Sequence, residues 1–143
     1  MSTKNQLIYD IAIVGVGAAG AGVAFSLLKC QPKLNIAIIE AAGQHYYQPA
    51  WTLVGAGEFN ILDTARPMCD CLPKSAIWIK AKVTIFEPDK NCVKIDNGAD
   101  IYYKQLIVEP GLKLNCEAIT GLTETLGKNG VSYNYNFDLA TYT

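Results

Sequence analysis

The chain has 143 residues, half of them hydrophobic, and a formal net charge of −1. That length predicts one domain spanning residues 1–143, with enough apolar side chains to build a core. The near-neutral balance excludes a nucleic-acid surface or a basic membrane-binding run, and no apolar stretch approaches the ~18–20 residues of a membrane span.

Residues 1–6 read as a frayed tail, and residues 1–10 are too short and polar for a secretory signal. Residues 7–14 are nearly all apolar, as a central parallel strand should be. They run into Gly15, Gly17 and Gly20. Residues 18–29 carry the small-residue pattern of a helix packed close to a sheet, and Cys30-Gln31-Pro32 ends it, because proline cannot continue a helix. Residues 35–40 form a second apolar strand that ends in Glu40.

Strand, glycine turn, helix, strand and carboxylate make a βαβ unit suited to a dinucleotide. Gly15 permits the tight turn, Gly17 leaves room for a pyrophosphate, and Gly20 lets the helix lie close on the sheet. Ala24, one turn beyond Gly20, keeps that contact thin. Ala18 and Ala19 open the helix, whose free N–H groups and partial positive charge favour an anion by about 0.3–2 kcal/mol. Glu40 stands twenty residues after Gly20, where a ribose-binding acid is expected. A carboxylate there accepts hydrogen bonds from ribose hydroxyls and repels a 2′-phosphate. The context around the turn favours a dinucleotide site over a purely structural α/β turn.

Residues 41–58 are aromatic and irregular, and they follow the C-terminal end of a strand, where α/β sheets bind ligands. His45, Tyr46, Tyr47 and Trp51 either line a flat ring system or anchor a packed surface loop. Residues 60–72 have helix-like apolar spacing, with a break signalled at Arg66-Pro67. Residues 76–79 form a third parallel strand. Residues 82–87, 92–96 and 100–103 alternate and are separated by Pro88-Asp89-Lys90-Asn91 and the hairpin signal Asn97-Gly98, which predicts an antiparallel meander. Residues 105–108 return to an apolar strand ending in Glu109-Pro110-Gly111. That ending either brings backbone back to the phosphate turn or is an ordinary β-turn. Residues 123–126 form a short helical turn, and residues 133–142 show no clear element.

The cysteines Cys30, Cys69, Cys71, Cys92 and Cys116 are odd in number and lack disulfide-scaffold spacing. They fit free thiols in a reducing compartment, with the cytoplasm as the default location. Cys69-x-Cys71 has no second pair to complete a zinc site, so free thiols are favoured over a metal or redox role. His45 shows no base, nucleophile or metal partner in sequence, which favours a structural role.

A glycine-turn unit, a meander and a strand ending in Pro-Gly together resemble the FAD domain of two-dinucleotide-binding flavoproteins. Within that group, H-Y-Y-Q-P-A-W-T-L-V-G-A-G at residues 45–57 and T-E-T-L-G-K-N-G-V-S-Y-N at residues 123–134 resemble sulfide:quinone oxidoreductases. The resemblance implies a Rossmann-like α/β FAD-binding domain, incomplete here, with a mainly parallel sheet and an antiparallel meander. It implies FAD held by Gly15, Gly17, Ala18, Ala19, Gly20 and Glu40, with adenine near the Lys82 and Val83 backbone and the pyrophosphate side near Pro110 and Gly111. It turns His45 and its loop toward the flavin.

In the complete family, sulfide is oxidised by a redox cysteine pair, and electrons pass through FAD to a quinone at the inner membrane. None of the five cysteines matches that pair, so the chain alone is expected to be inactive. Glu109 also departs from the small residue the family usually places before Pro-Gly. Two further readings stand beside this one. The first is a non-enzymatic nucleotide-binding module that pairs with a second copy through an exposed sheet edge. The second is part of an NADH-dependent flavoprotein, which would need another glycine-rich βαβ unit.

Overall fold

The computed structural model describes residues 7–143, so the expectations for residues 1–6 lie outside it. In chain order the strands and helices are β1 (Ile8–Val14), α1 (Ala18–Cys30), β2 (Ile36–Ile39), β3 (Gln44–Tyr46), α2 (Trp51–Gly55), β4 (Ala65–Pro67), β5 (Ile77–Ile79), β6 (Val83–Glu87), β7 (Cys92–Ile95), β8 (Asp100–Val108) and α3 (Leu122–Thr125). They fall into two compact units. One comprises the described residues up to Gly43 together with Met68–Gly111, the other Gln44–Pro67 with Leu112–Thr143.

The first unit is a six-stranded sheet in the order β5-β2-β1-β8-β7-β6. The first four strands in that order are mutually parallel, and β7 and β6 continue the sheet antiparallel. Strands buried on both faces need continuous apolar runs. Accordingly Ile13, Ile36 and Ile38 are fully buried, each contributing about 1.5–3 kcal/mol of side-chain burial. On one face, Gly20, Ala21, Ala24 and Leu28 turn the buried side of α1 to the sheet at helical spacing. Met68 and Leu72 complete that core. The other face gathers Ala12, Val14, Ile39, Ala81, Val93, Ile95 and Tyr103.

The expected strands at 100–103 and 105–108 are one nine-residue strand, β8. Its start pairs antiparallel with β7, and from Tyr102 to Val108 it pairs parallel with β1. Lys104, which breaks the apolar run, is exposed and donates to Asp10 Oδ1 at 2.7 Å. The hairpin at Asn97-Gly98 forms as expected, with Gly98 at φ +83 and Asn97 Oδ1 accepting from the Ala99 N–H. Lys94 ties the meander together by pairing with Asp100 at 2.7 Å and Glu87 at 3.6 Å.

The helix expected over 60–72 does not form. Two short 3₁₀ turns, Ile61–Thr64 and Met68–Cys71, flank the extended strand β4, which pairs antiparallel with β3. Arg66 precedes Pro67, and a residue before proline is pushed out of the α region toward extended backbone.

In the second unit, Trp51, Val54 and Ala140 are buried together, with Phe137 and Ile61 packed against them. The Trp51 indole N–H donates to Thr64 Oγ1 at 3.0 Å, and the Thr64 hydroxyl donates to the Ile61 carbonyl. A buried indole is thus satisfied within its own cluster.

Candidate functional site

The turn between β1 and α1 separates its three glycines by what surrounds them. Gly15 has φ +85, and a Cβ there would stand 2.1 Å from the Glu109 carbonyl oxygen. A Cβ on Gly20 would stand 2.5 Å from the Gly15 carbonyl oxygen. Around Gly17 a Cβ would meet nothing within 4 Å. The first and third glycines are therefore required by the protein's own backbone, whereas the second opens onto free space. Gly17 is also the N-cap of α1, with no side-chain cap and no acidic residue in the first turn. Gly17, Ala18 and Ala19 are exposed, so the positive end of the helix dipole is presented to solvent.

Glu40 closes the unit at the end of β2. Its Oε2 accepts from the Val16 N–H at 3.0 Å and its Oε1 from the Ala42 N–H at 2.8 Å. The Trp78 indole donates to the Glu40 carbonyl at 2.9 Å and fixes the backbone behind it. A carboxylate offers about four lone-pair sites, so one acceptor site on each oxygen remains for a ligand hydroxyl.

From this turn runs an open groove of about 300 Å³, lined by Gly15, Glu40, Lys82, Val83, Phe86 and Pro110 among others. Every lining residue belongs to the first unit. The Pro-Gly ending reaches the turn as one of its two readings expected: the Glu109 N–H donates to the Val14 carbonyl at 2.7 Å, and the Pro110 Cα would lie 3.0 Å from a Cβ on Gly15. Gly111 follows with φ +77 and is exposed. Glu109 presents its carbonyl to Gly15 and does not line the groove; its Oε2 is buried with no hydrogen-bond partner.

The aromatic stretch belongs to the second unit. His45 is half-buried on β3, opposite Arg66 in the β3–β4 ladder. Trp51 does packing work, and Tyr46 stacks on Phe137 at 4.7 Å between ring centroids. Tyr47 is exposed. Among the described residues no two cysteines are joined in a disulfide: Cys92 is buried, Cys30 and Cys69 are exposed, and Cys71 and Cys116 lie between. The Cys116 thiol donates to Tyr133 Oη at 3.9 Å; burial, with Cys116 adding to it, pushes the Tyr133 phenol above its ordinary value. Among the described residues no group of three or more His, Cys, Asp or Glu is placed to hold a metal ion.

Phe86, Ala41 and Ala81 also line the groove, although sequence reasoning missed all three. Phe86 sits in a strand whose alternation is broken by a register shift between Val83 and Ile85. Reading period 2 from the sequence puts it on the wrong face.

The sheet order, the glycine turn and the groove define a Rossmann-like α/β domain, the fold of the FAD-binding domains in flavin-dependent oxidoreductases. The sequence is 46% identical over 136 residues to the mitochondrial sulfide:quinone oxidoreductase of Dictyostelium discoideum, a match covering 94% of this chain and 30% of that protein. It is 35% identical over 135 residues to the mitochondrial sulfide:quinone oxidoreductase of Mus musculus, with the same coverage. The X-ray structure of the sulfide:quinone oxidoreductase from the hyperthermophilic bacterium Aquifex aeolicus superimposes with a TM-score of 0.63 at 25% identity, over 73% of this chain and 25% of that one. No family model matches the sequence. The chain belongs to the sulfide:quinone oxidoreductase family, and it spans about 30% of the length of the curated relatives it matches.

Proposed function

We propose that this chain is the FAD-binding portion of a flavoprotein that oxidises sulfide and passes the electrons through FAD to a quinone. The observation that carries the FAD reading is the contrast among the three glycines. Gly15 and Gly20 are filled by neighbouring backbone, whereas Gly17 faces open space at an uncapped helix N-terminus. That cradle fits a pyrophosphate.

In this reading the exposed N–H groups of Gly17, Ala18 and Ala19 bind the pyrophosphate. Glu40, held in place by the Val16 and Ala42 N–H groups, accepts from the ribose hydroxyls. Lys82 and Val83 offer backbone to the adenine edge, and Pro110 and Gly111 close the far side of the turn. When bound, FAD supplies two-electron redox chemistry at its isoalloxazine ring. The role of these residues is to bind the nucleotide half of the cofactor and orient it.

The sulfide and quinone sites belong to the complete protein, and the chain alone binds FAD without turning over sulfide. The relatives' mitochondrial names support a mitochondrial setting for the complete protein. Among the described residues no helix is long and apolar enough to cross a membrane.

The test is a flavin absorbance and fluorescence titration of the purified chain with added FAD, alongside Gly17→Val. Stoichiometric binding that the substitution abolishes supports the reading. A chain that takes up no FAD, or a Gly17→Val variant that keeps it, overturns the reading.

A further inference from the structure

We infer that Phe86 is the aromatic platform on which the adenine ring stacks, and that it sets the site's preference for a purine. This rests on the FAD reading above and names a residue that reading does not contain. The argument starts from strand register. Val83 pairs with Ile95, Ile85 with Lys94, and Phe86 with Val93. Two residues of β6 therefore oppose one of β7 between Val83 and Ile85, which is a β-bulge.

In a regular strand, Val83 and Phe86 would face opposite sides, because side chains alternate with period 2. The bulge cancels one step. Ile95 and Val93 are two apart on β7 and both lie in the core cluster with Ala12, Val14 and Ile39. Their partners Val83 and Phe86 therefore share that face. Both line the groove that begins at Gly15 and Glu40. Phe86 is 46% exposed there, a large apolar ring facing solvent beside an otherwise buried core.

The chemistry of the lining orients the ligand. The groove joins Gly15 of the glycine turn, the Glu40 carboxylate and an apolar wall of Ala81, Val83 and Phe86. A nucleotide whose phosphate takes the turn and whose ribose takes Glu40 is left with the apolar wall for its base. At about 300 Å³ the groove sits at the small end of ligand pockets, a size for an adenosine rather than a whole dinucleotide. A ring half-exposed at such a wall gains area and π-stacking when a base covers it.

The experiment titrates wild type, Phe86→Leu and Phe86→Tyr with FAD, and with ADP and UDP as fluorescence competitors. Melting curves establish that each variant is folded. The side chain is near half-exposed, so both variants keep the fold. The expected result is that Phe86→Leu weakens FAD and ADP about ten- to hundredfold, the range for loss of one base–aromatic stack. Phe86→Tyr restores binding, and the preference for ADP over UDP shrinks in Phe86→Leu.

If Phe86→Leu binds FAD and ADP as wild type does, the inference is overturned while the FAD reading stands. If Phe86→Leu leaves affinity unchanged and instead converts a dimer to a monomer in sedimentation, the ring serves the exposed edge of β6 and the inference is likewise overturned. If wild type binds neither FAD nor ADP, the FAD reading itself has failed.

Discussion

The two glycines on either side of Val16 should respond in opposite ways to substitution, because one touches backbone and the other touches nothing. At Gly17 the backbone has φ −79 and ψ −160, which any residue adopts, and a Cβ would meet nothing within 4 Å. Gly17→Val sacrifices only the N-cap preference, about 1 kcal/mol or less, because no side-chain cap exists to lose. At roughly 4 °C per kcal/mol for a chain of this size, the melting temperature should move by a few degrees at most. At Gly15 the φ of +85 is a conformation that costs an L-residue about 1–3 kcal/mol.

The Cβ at Gly15 would also stand 2.1 Å from the Glu109 carbonyl oxygen, a backbone atom held in place by the Glu109 N–H to Val14 carbonyl bond. Moving it sacrifices that hydrogen bond, a further ~0.5–1.5 kcal/mol. Gly15→Ala should therefore destabilise by about 2–4 kcal/mol and lower the melting temperature by about 8–16 °C. Gly17→Val should leave the fold intact and weaken FAD binding at least a hundredfold, because valine methyls fill the pyrophosphate position. Thermal melts followed by circular dichroism and FAD fluorescence titrations read the two effects separately. A Gly15→Ala variant that melts with wild type, or a Gly17→Val variant that keeps its FAD, would refute the steric argument.

Two further substitutions test features that the glycine turn does not explain. Glu109→Ala removes a buried carboxylate oxygen that lacks a partner, so stability should rise by about 1 kcal/mol; an unchanged or lower melting temperature would contradict that account. Burial, with Cys92 adding to it, raises the Tyr103 phenol above its ordinary value. The folded chain keeps that proton where the unfolded chain has lost it. Stability from this source is whole below about pH 10 and falls as the pH rises through the raised value. Tyr103→Phe should flatten the alkaline limb of a pH–stability curve, and an unaltered limb would assign the loss to other groups.

Features set by local chemistry were legible in the sequence. The glycine turn, the helix of small residues, the end of α1 before Pro32, the Asn97-Gly98 hairpin and the spacing to Glu40 each depend on residues close in sequence. Each is governed by backbone conformation, capping or a fixed crossover length. The four-strand parallel core followed from runs buried on both faces.

Long-range pairing decided the rest. β8 is one strand because β1 holds it from Tyr102 to Val108, whereas in sequence Lys104 cuts it in two. Residues 65–67 are a strand because β3 lies alongside and Pro67 forbids the helix that the apolar spacing suggested. Trp51 became a core anchor only when Ala140 and Phe137, distant in sequence, packed against it. Phe86 reached the groove through a bulge that adds one residue to β6 and reverses every side chain beyond it, something no periodicity in the strand itself announces. Sequence alone determined that a glycine turn joins the first strand to the helix and where Glu40 stands. Tertiary structure decided which glycine faces open space and which ring lines the groove, because both depend on what a distant strand places beside them.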